Sequence, residues 1–121
     1  MQYLLLIYGQ ETDWFNRPQA EIGAMVAEYG KFTEEITKAG KNLGSNRLTP
    51  VASATTVRIR DGKRTVTDGP FAETKEQLGG YYLVEAADLD EAITIASKVP
   101  AAKHGSVEIR PIFTMGQAAT R

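Results

Sequence analysis

The chain has 121 residues, a formal net charge of −1, no cysteine and one histidine. With 42% hydrophobic residues, this length fits one compact domain with a modest core. The near-zero charge argues against nucleic acid as a main partner, because binding phosphates requires a clustered basic surface. The lack of cysteine excludes disulfides and thiolate chemistry, and a single histidine excludes a multi-histidine metal site within one chain. We therefore expect neither a metal nor a cofactor.

The N-terminal segment predicts a strand. The apolar run from Tyr3 to Tyr8 contains aromatic and branched residues and is bounded by Gly9. The run is too short to cross a bilayer, and no basic leader precedes it. We therefore expect a cytoplasmic protein with no membrane association.

A long amphipathic helix is predicted after a polar loop that holds Trp14 and Pro18. Its apolar residues recur at spacings of three and four and form one stripe: Ile22, Met25, Val26, Tyr29, Phe32 and Ile36. Pro18 suits the first turn, and Gly40 suits the position just past the end. The predicted helix has about 20 residues. A loop rich in Gly, Ser and Asn, from Lys41 to Pro50, is predicted to follow.

The dipeptide Asp61-Gly62 predicts a β-hairpin with a type I′ turn, because both central positions of that turn need a positive φ. The register that this turn imposes pairs Val57 with Val66. It places both valines, together with Ile59, on one face of the hairpin.

The last third of the chain predicts a strand, a helix and a strand. The strand runs from Tyr81 to Ala86. Asp88 and Glu91 have the spacing of a capping box, and the helix that they open presents Leu89, Ala92, Ile93 and Ala96 and stops at Pro100. The final strand is predicted from Val107 to Ile112.

This order of elements predicts an α+β fold of the ferredoxin-like βαββαβ type, with both helices on one face of an antiparallel sheet. Residues 1–113 are expected to form a single domain. Residues 114–121 show no pattern and are expected to be a flexible tail.

The first predicted strand is apolar on both faces. Leu4, Leu6 and Tyr8 alternate with Tyr3, Leu5 and Ile7, and the strand that starts at Tyr81 is also apolar on both sides. Soluble monomers rarely leave such a patch in water. We therefore expect a homodimer that packs sheet against sheet, a dimeric α+β barrel. The alternative is a monomer whose open sheet face binds a ligand.

A longer motif identifies a family resemblance. The chain reads Asp68-Gly69-Pro70-Phe71, then Ala72-Glu73-Thr74-Lys75-Glu76, then Leu78-Gly79-Gly80-Tyr81-Tyr82. This run closely resembles the signature of the YCII-related, or DGPF, domain family, and the resemblance covers most of residues 1–113. It implies a ferredoxin-like fold, a dimeric α+β barrel and a biochemical role that is largely unsettled.

The resemblance also implies two functional settings. YCII-like relatives are candidate enzymes because a His and an Asp meet in a cleft. Proteins of the DGPF branch look linked to extracytoplasmic-function sigma factors, which implies a regulatory role with a sigma factor as partner. This chain contains no sigma-factor segment of its own, and its one histidine, His104, lies just before the final predicted strand.

Asp68 and His104 are the candidate catalytic residues. Asp68 lies at a rigid turn, where shielding by Phe71 or a nearby cation would shift its pKa. The alternative for Asp68 is a capping role, because Asp before Gly commonly stabilises a turn through its own side chain. A histidine suits proton transfer near neutrality. The alternative for His104 is a solvated position in a loop.

Five residues are candidates for binding a ligand: Tyr8, Phe71, Glu73, Tyr82 and Arg110. The tyrosines offer hydroxyl donors, Phe71 a pocket wall, Glu73 a polar rim, and Arg110 a bidentate clamp for a carboxylate. For the tyrosines, the alternative is a place in the aromatic core of a dimer. For Glu73 it is a weak ion pair at the surface, and for Arg110 a charge that protects a sheet edge from aggregation.

These observations favour a homodimer that binds or transforms a small polar or aromatic molecule near the Asp68 turn. Whether it is an enzyme is left open. The alternative is a non-catalytic regulatory or interaction module that acts with a sigma factor. A third possibility, a cofactor-independent oxygenase, rests on fold analogy alone.

Overall fold

The computed structural model describes residues 1–114. The elements within this range are β1 (Gln2–Gly9), α1 (Thr12–Phe15), α2 (Gln19–Lys38), β2 (Asn42–Arg47), β3 (Thr55–Arg60), β4 (Lys63–Asp68), β5 (Gln77–Glu85), α3 (Leu89–Ser97) and β6 (Ser106–Pro111). Two short 3-10 turns lie at Val51–Ser53 and Pro100–Lys103. Apart from Thr114, the predicted tail lies outside the described residues.

The main sheet has four antiparallel strands in the order β2-β5-β1-β6. β1 lies at its centre because its residues are apolar on both faces. Helices α2 and α3 contribute to one core with the buried residues of β1 and β5, so both helices cover the same face. This α+β architecture is compatible with the predicted ferredoxin-like fold. The core residues are Tyr3, Leu5, Ile7, Phe32, Ile36, Tyr82, Val84, Ala86, Ala92, Ile95, Ala96, Val99 and Ala101.

The prediction of a loop from Lys41 to Pro50 is wrong. Asn42–Arg47 forms β2, an edge strand that pairs with β5. The sequence concealed it because this strand is mostly polar, with a register shift between Asn42 and Gly44. Edge strands need little apolar character, since only part of their surface is covered. β2 and β5 are therefore the two strands of the main sheet that lie between α2 and α3 in sequence.

The predicted hairpin is confirmed, but it forms a separate two-stranded sheet of β3 and β4. Val57 pairs with Val66, as the turn requires. Asp61 and Gly62 have φ values of 52° and 74°, the positive pair that defines a type I′ turn. The valines and Ile59 on its apolar face are exposed.

Helix α2 matches its predicted length and end. Gly40 adopts a φ of 73°, and the Lys41 N–H donates to the Ile36 carbonyl at 2.8 Å, which closes the helix in a Schellman motif. The predicted stripe is buried only in the second half of the helix. Phe32 and Ile36 are 4% and 3% exposed, whereas Val26 is 52% exposed. The first half of α2 therefore does not pack fully on the sheet.

Helix α3 begins with the predicted cap, where Asp88 Oδ1 accepts from the Glu91 N–H at 2.9 Å. Ala92 and Ala96 are buried as predicted, together with Ile95. The other two residues predicted for the apolar face, Leu89 and Ile93, are exposed. Among residues 1–114, no helix combines the length and apolar character that crossing a bilayer requires. The cytoplasmic location stays a prediction.

The sheet face opposite the helices is apolar, as predicted from β1. The register places Leu4 beside Leu83 and Leu6 beside Tyr81, and all four are only partly buried. We call this side of the sheet, with these four residues at its centre, the open face. On the neighbouring strand β6 it carries an ion pair between Arg110 and Glu108.

Candidate functional site

Trp14 of α1 lies flat against the end of the main sheet. A Cβ atom added to Gly79 would fall 2.4 Å from two of its ring carbons, and one added to Gly9 would fall 2.7 Å from another. Real Cβ atoms essentially never approach so closely, so only glycine fits beneath the ring. The register of β1 with β5 shifts between Ile7 and Tyr8, beside Gly79. The glycines and this irregularity give the sheet a bare surface that accepts the indole.

Two cavities lie on either side of Trp14, beneath the first half of α2. The first has a volume of about 240 Å³ and the second about 380 Å³. Trp14, Met25 and Tyr29 line both cavities, so the two adjoin. We call them together the cleft. Four of the α2 residues that line the cleft belong to the part of the predicted stripe that is not fully buried: Ile22, Met25, Val26 and Tyr29.

The first cavity has a charged rim whose groups pair with one another. Arg17 donates from Nη2 to Asp13 Oδ1 at 2.9 Å and from Nη1 to Glu21 Oε1 at 3.1 Å. Glu28 pairs with Lys103 at 3.1 Å. Such exposed pairs contribute little to stability, but they leave the rim close to neutral.

His104 lies at the wall of the first cavity, directly after the Pro100–Lys103 turn. Its backbone N–H donates to the Ala101 carbonyl at 3.1 Å, and its side chain is exposed. His104 is therefore accessible to solvent and forms part of the cavity wall.

The second cavity is mostly apolar and has one cationic group, Arg47, in its described lining. Arg47 and Ser45 are two residues apart on β2 and so share a face of the sheet. Their partners on β5 are Gly80 and the buried Tyr82, which identifies this face as the one beneath α2. The Arg47 guanidinium lies over the Phe15 ring, 5.0 Å from its centroid.

Two tyrosines in the cleft have different roles. Burial raises the pKa of Tyr29 to about 12. Its hydroxyl, like that of any tyrosine at neutral pH, is protonated and can donate a hydrogen bond. The hydroxyl of Tyr82 already shares a 2.7 Å hydrogen bond with Thr33 Oγ1. Its ring packs edge-on against Phe32 at 5.0 Å between centroids. Tyr82 therefore ties α2 to the sheet at the closed end of the cleft.

The structure separates the predicted site residues into groups. His104 and Tyr8 line the first cavity, and Tyr82 lines the second. Asp68 and Phe71 line neither of these two cavities; both are exposed, and Phe71 is 77% exposed. Within a single copy of the chain, Asp68 and His104 therefore do not line a common cavity.

Glu73 is also exposed and lines neither cavity. The segment that holds it leads to Glu76, whose Oε1 accepts from Ser106 Oγ at 2.9 Å. This bond joins the end of the DGPF motif to the start of β6, two residues after His104. The motif therefore reaches the neighbourhood of the first cavity without lining it.

Arg110 is engaged on the open face. Its Nε donates to Glu108 Oε2 at 3.1 Å, and hydrogen bonding from Arg110 lowers the pKa of Glu108. Burial, with a smaller contribution from Glu108, raises the pKa of Tyr8. Arg110 lines neither cavity, so its geometry fits the alternative of a charge at a sheet edge.

Sequence reasoning missed the central residues of the cleft, Trp14, Tyr29 and Arg47. Trp14 is the single tryptophan, and a lone tryptophan in a polar loop near glycine-rich strands is a usable signal. The spacing of apolar residues assigns Tyr29 only to the helix stripe. Arg47 lies in a polar segment that predicts a loop, and a predicted loop gives no alternation of faces from which its position could be read.

The fold and cleft define a small α+β protein, compatible with a ferredoxin-like fold, with a candidate small-molecule site. The model of the YCII-related domain matches residues 1–116. An uncharacterized protein of Rhizobium meliloti (strain 1021) is 38% identical over 114 residues, which cover 93% of this chain and 92% of that protein. The chain therefore belongs to the YCII-related family, as the DGPF motif indicated. The name of the relative states no activity.

Proposed function

We propose that this protein binds a small organic molecule in the cleft beneath the first half of α2, and that it does so as a homodimer. The observation that carries the proposal is the gap between an apolar helix stripe and an apolar sheet. Trp14 occupies the centre of this gap and leaves a cavity on each side.

An empty gap between the helix and the sheet lowers the stability of the fold, because apolar side chains stay exposed to water. Burying one large aliphatic side chain stabilises a fold by about 1.5–3 kcal/mol, and Val26, which is 52% exposed, loses about half of that burial. A concave, largely apolar space with a few polar groups at its rim is the usual form of a small-molecule site. The cleft has this form, with Arg47 at one cavity and His104 at the other.

His104 supplies the group for proton transfer in this proposal, because a histidine can exchange protons near neutral pH. The proposed site is therefore the cleft and not the Asp68 turn. In a site that combines a His with an Asp, His104 of one copy would meet Asp68 of a second copy.

The homodimer is proposed from the open face. Leu4, Leu6, Leu83 and Tyr81 form a contiguous apolar surface on the central strands. A stable interface covers about 800 Å² on each partner, so in this proposal the contact extends over all four strands of this side of the sheet. Sedimentation analysis of the purified chain tests this part, with a dimer expected.

Trp14 makes the binding proposal testable, since one tryptophan reports on both cavities. We expect phenylacetate, an aromatic probe, to change Trp14 fluorescence in a saturable manner. Ser45→Leu, which extends a side chain into the second cavity, should weaken the response. Thr65→Leu, at an exposed strand position of the hairpin, should leave it unchanged. No saturable change for any aromatic probe at millimolar concentration would count against the proposal.

The alternative role as an interaction module with a sigma factor has its own support. The hairpin exposes Val57, Ile59 and Val66 on one face, and such a strip can dock a protein. Copurification with an extracytoplasmic-function sigma factor tests it. Ile59→Asn should abolish the copurification without changing the response of Trp14 to phenylacetate, whereas retention of the sigma factor would exclude this surface.

A further inference from the structure

We infer that the second cavity selects a small monocarboxylate with an apolar body, and that Arg47 binds its carboxylate. The inference rests on the proposed use of the cleft and adds the chemical class of the ligand. It follows from the position, the charge and the orientation of one side chain.

The position of Arg47 is fixed by its strand. β2 is the edge of the main sheet, and Arg47 is its last residue, paired with Gly80. Because Gly80 has no side chain, the bare backbone of β5 lies across from Arg47. Arg47 is exposed to solvent and lines the second cavity, whose apolar walls include Ile7, Trp14 and Met25.

No carboxylate of residues 1–114 forms an ion pair with Arg47. Within the same range, no acidic residue belongs to the lining of the second cavity. Arg17 at the first cavity, in contrast, pairs with two carboxylates. An anion bound in the second cavity would therefore meet a cation with no competing partner.

The orientation of Arg47 suits a planar anion. Its guanidinium carbon lies over the Phe15 ring, 5.0 Å from the centroid, a cation–π contact that restrains the side chain. A planar guanidinium can donate two parallel N–H hydrogen bonds to the two oxygens of a carboxylate. Preorganisation of this kind reduces the entropy lost when the anion binds.

The number of charges favours a monoanion. Arg47 is the single cationic residue in the described lining of this cavity, so a phosphate dianion would remain half neutralised beside apolar walls. Trp14 and Tyr29 offer aromatic surfaces against which a ring can pack. The ligand class is therefore a small carboxylic acid with an aromatic or branched apolar body.

A comparison of phenylacetate with the neutral phenylacetamide isolates the carboxylate. We expect the wild-type chain to bind phenylacetate at least about tenfold more tightly than the amide, as measured by Trp14 fluorescence. Arg47→Met should remove this preference. Arg47→Lys should retain part of it, because lysine keeps the charge but loses the planar fork. Arg60→Met, which removes an exposed strand arginine of the hairpin, is the matched control and should behave as wild type.

Three results would overturn the inference, and they separate it from the proposed function. Equal binding of acid and amide by wild type and Arg47→Met would remove the carboxylate class but keep the cleft as a binding site. Tighter binding of phenyl phosphate than of phenylacetate would replace the monocarboxylate with a phosphate ester. Failure of every probe with the folded wild-type chain would remove the binding function as well. Circular dichroism of each variant verifies that it is folded.

Discussion

The indole of Trp14 lies directly on the backbone of Gly79, so closely that a Cβ atom there would fall 2.4 Å from two ring carbons. This contact links α1 to β5 and places a large side chain under the first half of α2. The helix meets the sheet at Phe32 and Ile36 and diverges from it toward Met25 and Val26. The cleft is therefore a consequence of where one tryptophan packs.

Gly79→Ala should displace Trp14. The new methyl group and the ring cannot both keep their positions, so we expect a loss of about 1–3 kcal/mol in the free energy of unfolding and a shift in Trp14 emission. Urea denaturation measures the first quantity and fluorescence the second. Gly30→Ala, in the middle of α2 with open space around its Cβ, should instead stabilise the chain by up to about 1 kcal/mol. Unchanged stability and emission in Gly79→Ala would contradict the packing.

The hydroxyl of Tyr82 should contribute to the stability of the fold. Its hydroxyl shares a 2.7 Å hydrogen bond with Thr33, so Tyr82→Phe should cost about 0.5–1.5 kcal/mol of stability. Thr33→Val should cost a similar amount, and the double variant should cost less than the sum of the two. Strict additivity would show that the two hydroxyls do not interact.

Glu91 should contribute to acid sensitivity. A hydrogen bond from the Ala87 N–H and one from Lys41 lower the pKa of Glu91 from its ordinary value of 4.5. Because the folded-state pKa is depressed, its contribution is present above the unfolded-state pKa and disappears as the pH falls through the folded-state pKa.

The difference in stability between wild type and Glu91→Gln should therefore shrink between neutral pH and about pH 3. Thermal unfolding at both pH values measures it. Glu34→Gln, which loses only an exposed 3.9 Å contact with Lys38, is the comparison and should show a smaller change. A difference that is constant or grows on acidification would refute the assignment.

Leu83→Asp should convert the proposed dimer to a monomer. The substitution puts a charge at the centre of the open face, where a partner sheet would have to desolvate it. Leu89→Asp, an exposed leucine at the start of α3 in the helix layer, should leave the dimer intact. Sedimentation equilibrium of both variants gives the mass. A wild-type chain that sediments as a monomer, or a Leu83→Asp chain that remains dimeric, would exclude the open face as the interface.

The elements with strong local signals were predictable from the sequence. The Asp61-Gly62 turn fixed the hairpin register, and Gly40 marked the end of α2, because positive φ values at these positions are local requirements. The DGPF motif identified the family, and the dual apolar character of β1 predicted an apolar sheet face opposite the helices. These features depend on residues that are close together in sequence.

The parts that failed depend on contacts between distant segments. β2 becomes a strand only because β5 offers it an edge, and its own polar residues give no alternation to detect. The divergence of α2 from the sheet depends on Trp14, which the sequence placed in a loop. For the same reason the sequence does not single out Arg47 as a site residue. It does single out His104, which lines the first cavity.

The methyl signal of Met25 provides the most direct test of the cleft, since Met25 lines both cavities. In a methionine-methyl NMR spectrum, with Met25→Leu used to assign the signal, phenylacetate should shift Met25 in a saturable manner. Met1, exposed at the N-terminus, should not move. A Met25 signal that remains still while the chain is folded would contradict a small-molecule site beneath α2.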